Sequence, residues 1–180
     1  MLKIETPETE LWDEYNQRFI LVKKQTLFLE HSLISLSRWE SNWEKPFLKR
    51  NDKKTLVETI DYVRCMTINN NVDPNVYRVL TADNINAINA YVNAKKTATI
   101  VYEDKHWSTG ETVTSELIYY WMVSLGIPFE CQKWHLNRLL TLIRVCNVKN
   151  SPGKKMGRNA LLNRYASLNK KRREAMHSNG

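Results

Sequence analysis

The sequence predicts an α+β fold, mainly α-helical, with a small N-terminal antiparallel sheet packed on a helical domain and a basic C-terminal tail. Three observations carry that reading. Short apolar runs fill residues 1–31, apolar residues then recur at helical spacing as far as residue 149, and basic side chains crowd the residues after 150. The boundary therefore falls at 150. Residues 1–150 form a mainly helical domain with an N-terminal β-hairpin, and residues 151–180 a basic tail, helical or disordered.

In residues 1–31, Leu2 and Ile4 alternate with charge, and two apolar runs, Arg18–Lys23 and Thr26–Glu30, are joined by Lys23-Lys24-Gln25. A small antiparallel sheet is the simplest reading, and it must pack on a helix to be stable. Ser32 then opens a helix with Leu33, Leu36 and Trp43 near one face and Trp39 close by, and Pro46 stops it at about Glu44. A second helix is expected over residues 55–68, with Leu56, Ile60 and Val63 on its inner face. Asn69–Pro74 is a break. Thr81 caps a third helix that runs to about Asn93 and buries Ile85, Ile88 and Val92. Residues 95–113 are ambiguous: Thr97–Tyr102 alternates like a strand and Ser108-Thr-Gly is a turn, which together make a small hairpin.

The longest apolar patterns lie in residues 114–149, read as the buried centre of the domain. Leu117, Ile118, Trp121, Met122 and Leu125 recur at helical spacing, as do Leu136, Leu139, Leu140 and Ile143. Thr114 or Ser115 caps the first of two packed helices, Gly126 and Pro128 end it, and the second begins at about Pro128. Trp121 and Leu140 are expected to be buried between them. Beyond the Asn150-Ser-Pro-Gly linker, residues 158–176 can form a helix with a thin apolar stripe of Leu161, Leu162, Tyr165 and Leu168. So little apolar surface leaves that helix marginal until it meets a partner.

A chain of 180 residues with 42% hydrophobic content can bury one sizeable core. No apolar run is long enough for a membrane span, and Met1–Glu8 lacks an apolar signal-peptide region, so a membrane or secreted protein is not expected. Three cysteines, an odd number without framework spacing, point to reduced thiols in a cytoplasm. The net charge of +8 is uneven: residues 151–180 hold eight basic residues against Glu174, a net of +7, which leaves +1 for the body. The domain itself is therefore not a basic nucleic-acid-binding surface. The run Lys170, Lys171, Arg172 and Arg173 can meet phosphates, which makes nucleic acid a secondary partner class through the tail alone.

Catalytic patterns are missing. The chain has no Gly-rich phosphate loop, no G-x-S-x-G and no H-E-x-x-H, and no general acid or base is assigned. Cys131 and His135, four apart on an expected helix, could share a metal with His106 or Cys146, but no second short-spaced pair completes a set. The expectation is no catalytic residue, no cofactor and no metal. For Trp39, Trp43 and Phe47, large apolar groups beside charge, the bland reading is a core anchor and the functional one an aromatic docking patch for a protein partner.

Three blocks bring a resemblance. Leu29–Phe47 (LEHSLISLSRWESNWEKPF), Thr114–Met122 (TSELIYYWM) and Ile127–Asn147 (IPFECQKWHLNRLLTLIRVCN), followed by a basic tail, resemble a family of tailed-bacteriophage (siphovirus) tail assembly chaperone-like proteins encoded beside the tail-tube and tape-measure genes. The resemblance implies a non-enzymatic factor that binds the tape-measure protein while tail-tube subunits polymerise around it. It implies action in the cytoplasm of the infected bacterial host and absence from the mature virion. Such chaperones are often made in two forms by a ribosomal frameshift, and Pro152-Gly-Lys-Lys is the kind of peptide a slippery site encodes. The tail departs from the family pattern in carrying Gly157-Arg-Asn-Ala-Leu-Leu where more arginine is usual. The rival reading is a virion structural protein, a head–tail connector or a DNA-contacting minor component.

Overall fold

The structure, a computed structural model, describes residues 1–49, 51–100, 112–150 and 158–176. It is α+β and mainly helical. The chain opens with β1 (Leu2–Glu5), β2 (Thr9–Asp13), β3 (Arg18–Val22) and β4 (Thr26–Leu29). β1 pairs with β4 and β2 with β3, both antiparallel. Leu2 faces Leu29 and Thr9 faces Val22, so partner numbers total 31 in both ladders and the four strands form one nested ribbon. Pro7, which has no N–H to donate, sits in the interruption between the ladders. Beside it the backbone N–H of Thr6 bonds Gln25 O at 2.9 Å.

Lys23–Gln25 thus connects β3 to β4 without pairing them, unlike the hairpin expected there. The turn chemistry lies elsewhere. The Asp13 carboxylate accepts from Tyr15 N at 3.1 Å and from Asn16 Nδ2 at 2.7 Å, and Gln17 takes a left-handed φ of 46°. Asp and Asn build such turns from their own side chains, and a Lys-Lys-Gln linker has no such group.

α1 (Leu33–Trp43) starts from a capping box: Ser32 accepts from Ser35 N, and the Ser35 hydroxyl accepts from Ser32 N at 2.9 Å. It ends at Glu44, in the left-handed region at φ 51°, two residues before Pro46. α2 (Leu56–Met66) has a second capping box between Thr55 and Glu58. Its inner face is Glu58, Tyr62, Val63 and Met66, while Leu56 is 76% exposed, contrary to the expected face. The Thr55–Glu58 box turns Glu58 inward and carries Leu56, two positions before it on the helix, round to solvent. A 3-10 turn at Pro74–Arg78 leads to α3 (Ala82–Asn93), where Ile88 and Tyr91 are buried and Ile85 and Val92 only partly. Thr97–Ile100 form no strand, and the rest of the hairpin expected there lies outside the described residues, as does the 151–157 linker.

α4 (Ser115–Ser124) is capped by Thr114 and closed by Gly126 at φ +64°. Pro128 then begins a 3-10 turn, Phe129–Lys133, and not the next helix; α5 starts at Leu136 and runs to Asn150. The delay has a cause in tertiary pairing. His135 bridges to Ser32, and Leu136 N donates to His31 O at 2.7 Å, so residues 134–135 stay extended to meet the start of α1. The buried apolar side chains of α4 and α5 are Ile118, Met122, Leu136, Leu139 and Ile143, whereas Trp121 and Leu140 are only partly buried.

The core has two clusters, and α1 belongs to both. Trp39 joins Ile4, Leu27, Leu29, Tyr62, Met66 and Val76 in one, and Leu33 and Leu36 join Ile118, Met122, Leu136, Leu139 and Ile143 in the other. The centre of the fold is therefore α1 and not residues 114–149. By compactness the chain divides into Met1–Cys146 and Asn147–Gly180, four residues before the expected boundary. The second unit holds α6 (Arg158–Met176), whose described side chains, including Leu162, Tyr165 and Leu168, are all exposed. Among the described residues no helix is long and apolar enough to cross a membrane.

Candidate functional site

The aromatic candidates face inward. Trp39 is 0% exposed, and its indole N–H donates to Glu58 O at 2.9 Å. Trp43 and Phe47 are partly buried against the same cluster, and the Trp43 N–H donates to Asp61 Oδ2 at 2.9 Å. Trp39 stacks with Trp43, meets Phe47 edge-on, and Phe47 lies on Tyr62 with ring centroids 4.0 Å apart. Two lysines close this box: Lys45 pairs with Glu58, and Lys54 Nζ donates to Phe47 O at 2.7 Å while lying 4.5 Å from the Phe47 centroid. Burial lowers the Lys54 pKa. These contacts fasten α1 to α2. Trp39 is thus a core anchor and cannot reach a partner from this position, which corrects the docking-patch expectation for it, while Trp43 and Phe47 are partly buried.

Behind the box, Glu40 is 7% exposed and accepts from Phe47 N at 2.8 Å and from Ser115 N at 2.7 Å. One carboxylate thus ties α1 to the loop after it and to the first residue of α4, where a negative charge also suits the helix dipole.

A second polar centre joins His31, Tyr62, Tyr91 and His135. His31 Nδ1 shares a 2.5 Å hydrogen bond with Tyr62 Oη, and the two imidazoles meet edge-on with centroids 5.0 Å apart. His135 Nε2–H donates to Tyr91 O at 3.0 Å, and the Tyr91 hydroxyl donates to Glu30 Oε1 at 2.5 Å. Burial holds the His31 pKa down at about 4, with the neighbouring His135 adding to the effect, and burial also lowers the His135 pKa. Both rings are therefore neutral near pH 7. The i, i+4 geometry expected for Cys131 and His135 does not occur: Cys131 sits in a 3-10 turn, His135 in extended backbone beyond it, and His106 lies outside the described residues. Among the described residues no group of three or more His, Cys, Asp and Glu side chains is placed to hold a metal.

The open surface lies outside the residues that the sequence marks as candidates. Trp12 (47% exposed), Phe19 (66%) and Leu21 (51%) share one face of the β2–β3 ribbon with Glu10, and Trp12 meets Phe19 edge-on at 5.0 Å. The opposite face, with Leu11 and Val22, packs on the core. The signal was present: Phe19-Ile-Leu-Val is apolar at successive positions, so one face must bear apolar groups that the other does not need. A further exposed set, Tyr120, Val123 and Phe129, lies on α4 and the turn after it. In α6, Lys170, Lys171, Arg172 and Arg173 are all exposed. Four consecutive residues at about 100° each encircle a helix, so this is a collar of charge and not a face.

Beside α5 an open cleft of about 320 Å³ is lined, among the described residues, by Lys95, Thr97, Asn137, Thr141 and Arg144 with Thr99, Ile100 and Leu140, a set that holds no carboxylate or imidazole. No family model matches this chain, and no curated protein or solved structure matches it either.

Proposed function

We propose that this chain is a non-enzymatic assembly factor of tailed bacteriophages, a tail assembly chaperone that binds the tape-measure protein, and with it the tail-tube protein, in the host cytoplasm and then leaves the particle. The resemblance of the three blocks supplies the class. The observation that carries the reading is the apolar outer face of the β2–β3 ribbon, where Trp12, Phe19 and Leu21 are exposed on strands joined by a turn that Asp13 fixes. Rigid exposed aromatics on a preformed scaffold are suited to holding the apolar stripe of a long helical partner. The positive collar of α6 speeds encounter with an acidic partner surface.

Co-expression with a tape-measure protein tests this. The partner should stay soluble with the wild-type chain and precipitate with Trp12→Ser/Leu21→Ser, whose melting temperature should barely change. Mass spectrometry of purified particles should find no stoichiometric copy of the chain; a full complement there would make it a virion component.

A further inference from the structure

The two halves of the β-ribbon differ at their edges. In the proximal half both are covered. The β4 edge is bonded by Met66–Asn69, through Glu30 N to Met66 O at 2.9 Å, Ile68 N to Phe28 O at 3.0 Å and the Asn69 side chain to Phe28 N and Thr26 O. The β1 edge receives Asn84 Nδ2 on Glu5 O at 3.2 Å. In the distal half, among the described residues, no backbone hydrogen bond reaches the outer edge of β2 or β3. A bare edge beside exposed apolar side chains is a template for another strand unless something guards it.

Charge guards one edge and not the other. β2 is flanked and interrupted by Glu8, Glu10, Asp13 and Glu14, whereas β3 has no acidic residue, only Arg18 at its start and Lys23 just past its end. Suppose a second copy pairs antiparallel with β2 about Leu11. Glu8 then falls opposite Glu14 of the other copy, twice over, and like charges directly opposite are destabilising. With β3 about Ile20 the outcome reverses. Phe19 falls opposite Leu21 of the other copy, Arg18 opposite Val22 and Lys23 opposite Gln17, so no like charges meet and two apolar cross-strand pairs form on the exposed face. The β3 edge is thus complementary to itself, which is the requirement of an isologous two-fold contact.

We propose that the chain self-associates through its β3 edges, forming a two-fold dimer with a four-stranded antiparallel sheet, strand order β2-β3-β3-β2, centred on Ile20. The two-fold is perpendicular to the sheet, so both outer faces lie on the same side and Trp12, Phe19 and Leu21 of the two copies make one continuous apolar surface. A five-residue edge and its side chains bury less than the about 1,200 Å² of a standard interface, so the dimer is weak and concentration-dependent. This inference does not depend on the proposed function.

The test uses the full chain in sedimentation equilibrium. The wild-type mass should rise from one chain toward two across about 1–100 µM protein. Phe19→Lys/Leu21→Lys places like charges opposite each other and should raise the dissociation constant at least about tenfold. Phe19→Lys/Leu21→Glu places opposite charges there and should keep the dimer. Both sites are exposed, and near-UV circular dichroism checks the fold of each variant. Independently, Ile20→Cys lies on the two-fold axis and should give a reducible cross-linked dimer on oxidation, while Leu11→Cys, at the centre of β2, should give no more than the wild type with its own three cysteines. A single-chain mass at every concentration overturns the proposal. So does association unchanged in the double-lysine variant, or Leu11→Cys cross-linking as well as Ile20→Cys. Capture of a co-expressed tape-measure protein by Ile20→Cys, with no homodimer, would assign the edge to a foreign strand.

Discussion

Removing the Glu40 carboxylate should be among the most damaging single changes in the protein. Its two oxygens accept from Phe47 N at 2.8 Å and Ser115 N at 2.7 Å, and Glu40 and Ser115 are both buried. A hydrogen bond to a charged acceptor contributes about 1.5–3 kcal/mol, and stranding a buried donor costs a similar amount. The Ser115 N–H has no route to water without movement of α4, while Phe47 lies nearer the surface and recovers part of its loss. Glu40→Ala should therefore destabilise by about 3–5 kcal/mol. Glu40→Gln keeps one carbonyl acceptor but turns an NH₂ toward the other donor, so it should lose about half as much. Urea unfolding followed by tryptophan fluorescence reads both, since Trp39 lies on the same helix, one residue before Glu40. A loss below about 1 kcal/mol for Glu40→Ala, or equal losses for Ala and Gln, would show that the carboxylate does not hold these elements together.

Other perturbations follow from the same structure. Trp39→Ala should cost about 3–5 kcal/mol by leaving a cavity between α1 and α2, and Trp121→Ala clearly less, because Trp121 is only partly buried; comparable urea midpoints would contradict the packing described. His31, lowered from 6.5 to about 4, disfavours the proton in the folded state, so its contribution is full above pH 6.5 and is lost as pH falls toward about 4. At about 1.4 kcal/mol per pH unit this bounds the loss at about 3.5 kcal/mol, and His31→Gln should flatten the stability profile across that window. Gly126→Ala should cost about 1 kcal/mol, since φ is +64° while, among the described residues, no atom beyond the adjoining residues lies within 4 Å of the added methyl. A chain ending at Asn150 should keep its melting temperature, because the described side chains of α6 are exposed, and should bind its partner more weakly with a smaller salt dependence; unfolding of the truncated chain would show that the tail supports the body.

Some of this was legible in the sequence and some was not, for identifiable reasons. Local chemistry was readable: Ser32 and Pro46 bound α1, Thr81 caps α3, and Thr114 and Gly126 bound α4. Face assignment failed where apolar residues surround the helix. Leu117 to Val123 is apolar at every position, so periodicity could not choose Ile118 and Met122 over Trp121. The start of α5 is not legible in the sequence, because the extended pair Trp134-His135 is set by residues 31–32, more than a hundred positions away. For the tryptophans of α1 the sequence favours a core anchor, as Trp39 proves to be, but leaves a docking patch open, because it shows charge beside them and not that Lys45 and Lys54 lie over the rings. The exposed face of β2–β3 is hidden from sequence for the opposite reason: an apolar strand reads as core unless its neighbour on each side is known.

Because α1 supplies side chains to both apolar clusters, neither cluster has a complete set of walls without it. Opening one withdraws Trp39 from the other's supporting helix, or Leu33 and Leu36 from theirs, so half-melted forms gain little. The body should denature in a single thermal step, with calorimetric and van't Hoff enthalpies in agreement. Amide exchange should place α1 and the elements on either side of it at one common, highest level of protection, with the β2–β3 tip far below it.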